Sequence, residues 1–277
     1  MRLPPIYPLV ALLAACAPAG DPPPAASTDL APSAGADLAS TTGADLAPGP
    51  GADLAGGWVD DDFSDAATLS RWQDLLPANH DSLAISGGKL RTTPTVRLRN
   101  HWFGDEQGVF LYQLVSGDFV VEVDVTAARR GDAGAAPRGE YSAGGLLLRD
   151  PQSRSPGQQR WVMYNLGYQP GGLAREVKDT RDSVSVLTLI SSGGQRSGRL
   201  RVCRLGRSIR FFHRMPGAAE WSEESPNGSA LRFDRPDLPE RLQVGLMAGH
   251  WEAPLELAAE FESVRLLPAT DAASCVR

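Results

Sequence analysis

Beyond Trp58 the chain is written in short runs that alternate apolar and polar residues, punctuated by Gly, Pro, Asn and Asp. The clearest is Gly117-Asp-Phe-Val-Val-Glu-Val-Asp-Val-Thr126. In a strand, period-two alternation turns Val121, Val123 and Val125 to one face and Glu122, Asp124 and Thr126 to the other. A helix makes no use of this pattern, because its apolar face recurs three and four residues on. Such runs predict strands over Thr95–Arg99, Val109–Leu114, Phe119–Thr126, Gly144–Arg149, Trp161–Leu166, Val184–Ile190, Arg199–Leu205, Ser208–His213, Leu242–Ala248 and Leu257–Leu267. "GRLRVCRLGRSIRFFHR" reads as a hairpin turning at Leu-Gly-Arg. Only Asp65–Trp72, "DAATLSRW", reads as a helix or helical turn. Many short strands with little helix predict an all-β fold, a jelly-roll sandwich of antiparallel strands. It occupies 58–269 as one domain, followed by a tail over 270–277.

The N-terminus has a different composition. Arg2 precedes the apolar run "LVALLAAC", and no further charge occurs before Asp21. That is the layout of an export signal, too short to span a bilayer. Leu13-Ala14-Ala15-Cys16 resembles the bacterial lipobox. The resemblance implies cleavage after residue 15, lipidation of Cys16 and an exported protein anchored to the bacterial envelope, at the outer membrane or cell surface. Several acyl chains hold a soluble domain durably where one does not.

Residues 16–57 are expected to form a disordered tether. An octad recurs there ("TDLAPSAG", "ADLASTTG", "ADLAPGPG", "ADLAGGWV") with Asp29, Asp37, Asp45 and Asp53 in register. Eight fits neither a heptad nor a stacking repeat. One Leu per octad buries too little surface to offset the ordering entropy. Such a coil spans roughly 35 Å root mean square.

The formal charge of −6 divides into −4 before Trp58, where Arg2 stands against five Asp, and −2 after it. A nearly neutral domain lacks the basic footprint of a nucleic-acid binder. Export to an oxidising compartment permits a Cys203–Cys275 disulfide; two unpaired thiols are the alternative.

The order of "VDDDFSDAATLSRWQ", "LYQLVSGDFVVEVDV", "SAGGLLLRD", "RWVMYNLGY", "GRLRVCRLGRSIRFF" and "LQVGLMAG" resembles the concanavalin A-like (laminin G-like) jelly rolls of bacterial exported proteins. Within these it looks like the domain shared by the regulation-of-enolase-1 family and the C-terminal domain of some bacterial β-xylosidases. The resemblance covers Trp58 to Pro268. It departs at 129–142, "RRGDAGAAPRGEYS", which reads as a long flexible loop. This superfamily holds lectins, glycosidases and adhesion modules, so fold alone does not decide function.

Glu122 and Asp124 are the weak catalytic candidates. They resemble the start of the Glu-x-Asp-x-(x)-Glu motif of family 16 glycoside hydrolases, in which two Glu stand about 5–5.5 Å apart in a retaining enzyme. The second Glu is missing here; a distant acid such as Glu140 or Asp150 would have to replace it. Asp60, Asp61 and Asp62 form the one dense acidic cluster, a candidate calcium site. Adjacent strand residues point alternately, so edge protection is the competing reading. Sugar rings stack on aromatic faces, which makes Trp102, Trp161, Tyr168, Trp221 and Trp251 candidate ligand residues, against the alternative that they fill the core. The leading expectation is a non-catalytic module that binds carbohydrate. The alternatives are a glycan hydrolase with an unrecognised acid pair and a structural or protein-interaction lipoprotein.

Overall fold

In a computed structural model of the chain, residues 58–97 and 99–277 are described. The signal, Cys16 and the tether lie outside them. Fifteen strands follow in chain order: β1 (Gln73–Asp74), β2 (His80–Ser86), β3 (Lys89–Pro94), β4 (Val109–Ser116), β5 (Phe119–Arg129), β6 (Ser142–Arg149), β7 (Trp161–Gln169), β8 (Gly172–Arg181), β9 (Val184–Ser191), β10 (Ser197–Leu205), β11 (Ser208–Arg214), β12 (Ser222–Glu223), β13 (Arg232–Asp234), β14 (Arg241–Gly249) and β15 (Leu257–Pro268). They form a seven-stranded sheet, β1-β4-β14-β6-β7-β8-β9, and an eight-stranded sheet, β12-β11-β10-β5-β15-β3-β2 with β13 beside β11. Every pairing is antiparallel, and the two sheets pack as a sandwich, consistent with a jelly-roll-like arrangement.

The alternation seen in the sequence places the core. Val121, Val123 and Val125 of β5 meet Val162, Tyr164 and Leu166 of β7 and Val244 and Leu246 of β14 in one apolar cluster. Asp65–Trp72 contains a 3-10 helix, Ala66–Arg71, started by the Asp65 carboxylate accepting from the Ala67 N–H. Ser208 pairs with Leu205, so Gly206 and Arg207 make the predicted hairpin turn. Of the predicted strand Thr95–Arg99, the described residues 95–97 and 99 form no strand. β15 matches β3 only at Leu90–Thr92, and past Pro94 the chain leaves the sheet, with the Thr95 N–H donating to the Asn79 carbonyl.

Six strands, β1, β2, β3, β8, β12 and β13, fall outside the sequence expectation. The 129–142 loop is pinned rather than loose: Arg138 forks onto both oxygens of Glu256 at 2.8 and 2.9 Å, and the Arg129 N–H donates to the Ala135 carbonyl.

Both ends of the domain are fastened. Gln113 of β4 clamps the Val59 main chain, accepting from its N–H at 2.9 Å and donating to its carbonyl at 3.0 Å. Two residues on, Asp61 exchanges two backbone hydrogen bonds with Val264 of β15. At the other end Cys275 is bonded to Cys203 of β10, with Cα atoms 5.5 Å apart.

Candidate functional site

Each sheet has an outer face, and the two differ. On the eight-stranded sheet, register sets Glu122 opposite Arg201 and Arg265, and Asp124 opposite Arg199 and Ser263. Arg201 donates twice to the Glu122 carboxylate, and Arg199 Nε stands 2.6 Å from Asp124. Ser263 donates to the second Asp124 oxygen at 2.7 Å. The pair that resembles a glycosidase motif is thus committed to arginine. An open groove of about 360 Å³ lies beside Asp124, Arg199, Arg214 and Met215.

The seven-stranded sheet carries polar groups that are wholly buried. On β7, Val162, Tyr164 and Leu166 face the sandwich core, so Trp161, Met163, Asn165 and Gln169 face outward. On β8 the outward residues include Glu176 and Lys178, in register with Asn165 and Met163. The chain between β3 and β4 folds over this face. Asn100 exchanges two backbone hydrogen bonds with His250, and the Gly104 N–H donates to Ser185 Oγ at 2.8 Å. Trp102 then packs edge-on against Phe110 and Trp161, making a second apolar cluster with Leu147, Met163 and Met247.

Beside that cluster lies a charged floor. Lys178 and Glu176 are both 0% exposed, with Nζ and Oε1 2.9 Å apart. An ammonium carries three donors and no acceptor. Lys178 Nζ donates to the Trp102 carbonyl at 2.7 Å and to His101 Nε2 at 2.9 Å, with Glu176 Oε1 beside it as its ion-pair partner. The other Glu176 oxygen accepts from Asn165 at 2.9 Å and Gln169 at 3.2 Å.

Because lysine only donates, His101 Nε2 must accept, and its ring proton sits on Nδ1. Burial, then Lys178, then His250 hold His101 well below the ordinary imidazole range, so it is neutral. Burial also lowers Lys178, against the pull of Glu176. Among the described residues of this floor His101 Nδ1, Gln169 Oε1 and Glu176 Oε1 have no hydrogen-bond partner.

Two aromatic rings stand over this floor. Phe103, 48% exposed, has its centroid 5.3 Å from Lys178 Nζ. Half-buried Tyr141 has its ring 5.7 Å from that of His101. Tyr141 holds a left-handed φ of 56°, which costs a residue with a Cβ roughly 1 kcal/mol or more and clusters at functional sites. Its phenol is raised by burial, then by Glu176, Glu140 and Glu252, so it remains protonated and able to donate.

Trp102 and Trp161, expected as ligand residues, are 0% exposed and serve instead as packing for the face, because the β3–β4 chain closes over them. Trp221 is half-buried on the other sheet among Arg199, Arg201 and Arg214. Trp251 is half-buried under Arg99 at 5.4 Å, and Tyr168 is half-buried at the end of β7. The five do not share one groove. Asp60, Asp61 and Asp62 diverge. Asp60 accepts from Trp58 and the Leu266 N–H, Asp61 from Phe63, Thr68 and Trp72, and Asp62 from the Ser64 N–H. Among the described residues no group of three or more His, Cys, Asp or Glu stands together as a metal cage.

Sequence reasoning missed His101, Phe103, Tyr141, Asn165, Gln169, Glu176 and Lys178 as a set. The one trace in the sequence was "REVKD", five residues with four charges in the midst of strand patterns.

No protein-family model matches the sequence, and no curated protein matches it. Solved structures do. A functionally unknown protein from Saccharomyces cerevisiae superposes with a TM-score of 0.56 at 17% identity, over 73% of this chain and 99% of that one. The GH43 protein BlXynB from Bacillus licheniformis gives 0.55 at 16% identity over 76% of this chain. A xylan β-1,4-xylosidase from Bacillus halodurans gives 0.54 at 15% identity over 80%. The chain spans only 39% and 41% of the length of these last two. At such identities the likeness is one of fold, an all-β two-sheet sandwich that also occurs as part of larger glycoside hydrolases.

Proposed function

We propose that this protein is an envelope-tethered, non-catalytic module that holds carbohydrate on the outer face of its seven-stranded sheet. The observation that carries the reading is the pairing of Phe103 and Tyr141 above the buried Lys178–His101 contact. Aromatic faces over polar groups suit a pyranose ring, which presents C–H bonds on its faces and hydroxyls at its edge. The floor is fixed by its own ion pair, so it is preorganised, and preorganisation lowers the cost of binding. The sandwich shared with a domain-sized part of the xylosidases supports the choice of ligand class. Against a hydrolase, the two acids of β5 are bound to arginines, and Glu176 is bound to Lys178 and two amides. Attachment through a lipid on Cys16 rests on the sequence alone.

Retention on a broad glycan array tests the reading. The native chain is expected to be retained by at least one glycan class, with retention reduced about tenfold or more by Phe103→Ala or Tyr141→Ala. Failure to retain any glycan, or full retention by both variants, would sink it. Cys16→Ser is expected to release the protein from the membrane fraction.

A further inference from the structure

Five strands end the two sheets, with β12 and the three-residue β13 sharing the edge of β11, and all but β9 are blunted. β1 and β12 are two residues long. β2 has an irregular register between His80 and Ser82, with Asp81 at the break, bound to Arg130. Short strands, irregularities and charges are the usual means of keeping a sheet edge from pairing with another chain.

β9 has none of these. It runs eight residues, Val184-Ser-Val-Leu-Thr-Leu-Ile-Ser191, with no charge, no proline and no register shift against β8. Val184 and Val186 are 69% and 67% exposed, the two most exposed large apolar residues among those described. The phase of its hydrogen bonding can be read from its end. The Ser192 N–H donates to the Leu173 carbonyl, so even-numbered residues bond to β8. Ser185, Leu187 and Leu189 therefore turn their N–H and C=O groups away from the sheet. The Ser191 carbonyl, in the same phase, is capped by Arg175 at 3.0 Å.

We infer that β9 pairs antiparallel with β9 of a second copy of this chain, joining two seven-stranded sheets into one. The occupant follows from composition. A strand without charge meets no like charge when it opposes itself, and a two-fold axis makes its exposed valines self-complementary. The chain outside the described residues, 1–57, is a poor substitute. Its octads are built on Ala, Asp, Gly and Pro, which are depleted in strands. A two-fold axis normal to the sheet also keeps both outer faces on one side. The two copies of Lys178, Phe103 and Tyr141 would then face the same surface.

Sedimentation of the full chain over a concentration series tests this, paired with amide hydrogen exchange. The native chain is expected to double its mass as concentration rises, with the Leu187 and Leu189 amides exchanging slowly only in concentrated samples. Val184→Lys/Val186→Lys, at two exposed positions, is expected to stay at monomer mass with an unchanged circular dichroism spectrum. A native chain that stays monomeric throughout the series overturns the inference. So does a dimer that survives the double lysine variant, or exchange at Leu187 and Leu189 that ignores concentration.

Discussion

The Arg201 guanidinium lies 4.0 Å from the centre of the Trp221 ring while it donates to Glu122 and, at 2.8 Å, to the Cys275 carbonyl. One side chain thus joins three stretches of chain: the middle of β5, the segment after β11 and the C-terminal tail. Arg201 is 3% exposed and Glu122 8%. Removing one partner of such a pair leaves the other charge buried. Glu122→Gln is expected to cost about 2 kcal/mol, read as a lower urea midpoint, while glycan retention stays at the native level. Loss of retention with stability intact would return Glu122 to the binding site.

The Lys178–Glu176 pair makes a sharper case, since neither side chain touches solvent. Lys178→Met is expected to cost about 3–5 kcal/mol, because Glu176 is left with an uncompensated charge in the interior. Lys178→Met/Glu176→Leu is expected to recover most of that loss, since apolar side chains of similar volume often replace a buried pair without penalty. A double variant no more stable than the single one would show that Glu176 is held mainly by Asn165 and Gln169.

Tyr141 separates stability from binding. Glycine adopts a left-handed φ freely but gives up the ring. Tyr141→Gly is expected to melt within a few degrees of the native protein, a change of about 1 kcal/mol or less, while glycan retention falls. Comparable losses of melting temperature in Tyr141→Gly and Tyr141→Ala would mean that φ at this site carries no strain.

Stability is expected to depend on pH in two steps. Burial lowers His101 and His250 below their ordinary value of 6.5, so the unfolded chain takes up protons first. Their neutral burial therefore favours folding above pH 6.5 and weakens it as pH falls below that value. Glu224 gives the second step. Burial pushes it up, but the close approach of His213 and the hydrogen bonds from Arg175 and Tyr164 outweigh that and bring it to about 2. Its contribution, on the order of 3 kcal/mol, is complete above the unfolded value of 4.5 and is lost as pH falls toward 2. Melting temperatures from pH 8 to pH 3 check both steps; a flat profile down to pH 5 would remove the histidine step.

The sandwich was legible because most of its strands bury one face, and burial of one face writes period two into the sequence. The valines of β5 and the β10–β11 hairpin are of this kind. β8 was illegible for the opposite reason. "GLAREVKDTR" shows charge on both faces, yet Arg175 is bound to Glu224 inside the sandwich and Lys178 to Glu176 outside it. A sequence shows the charges but not the partners, which arrive from β7, from the β3–β4 chain and from the segment after β12. The same blindness hid the candidate site, whose polar groups lie on β7, β8 and, with His101, the β3–β4 chain, and whose aromatic rim comes from Phe103 and Tyr141, both outside strands. Trp161 was found by residue type, but what closes over it depends on a segment some sixty residues upstream.

The clamp on Val59 and Asp61 has a mechanical consequence. These residues are where the chain from the N-terminus joins the domain, and they are bonded at once to Gln113 in one sheet and Val264 in the other. A pull arriving along that chain is divided between the two layers instead of peeling a single edge strand. β15 passes its share to β5 along eleven paired positions, and the disulfide ties Cys275, beyond β15, to β10 on the far side of β5. Load entering at Val59 and Asp61 would thus meet shear across both sheets, as in a lap joint.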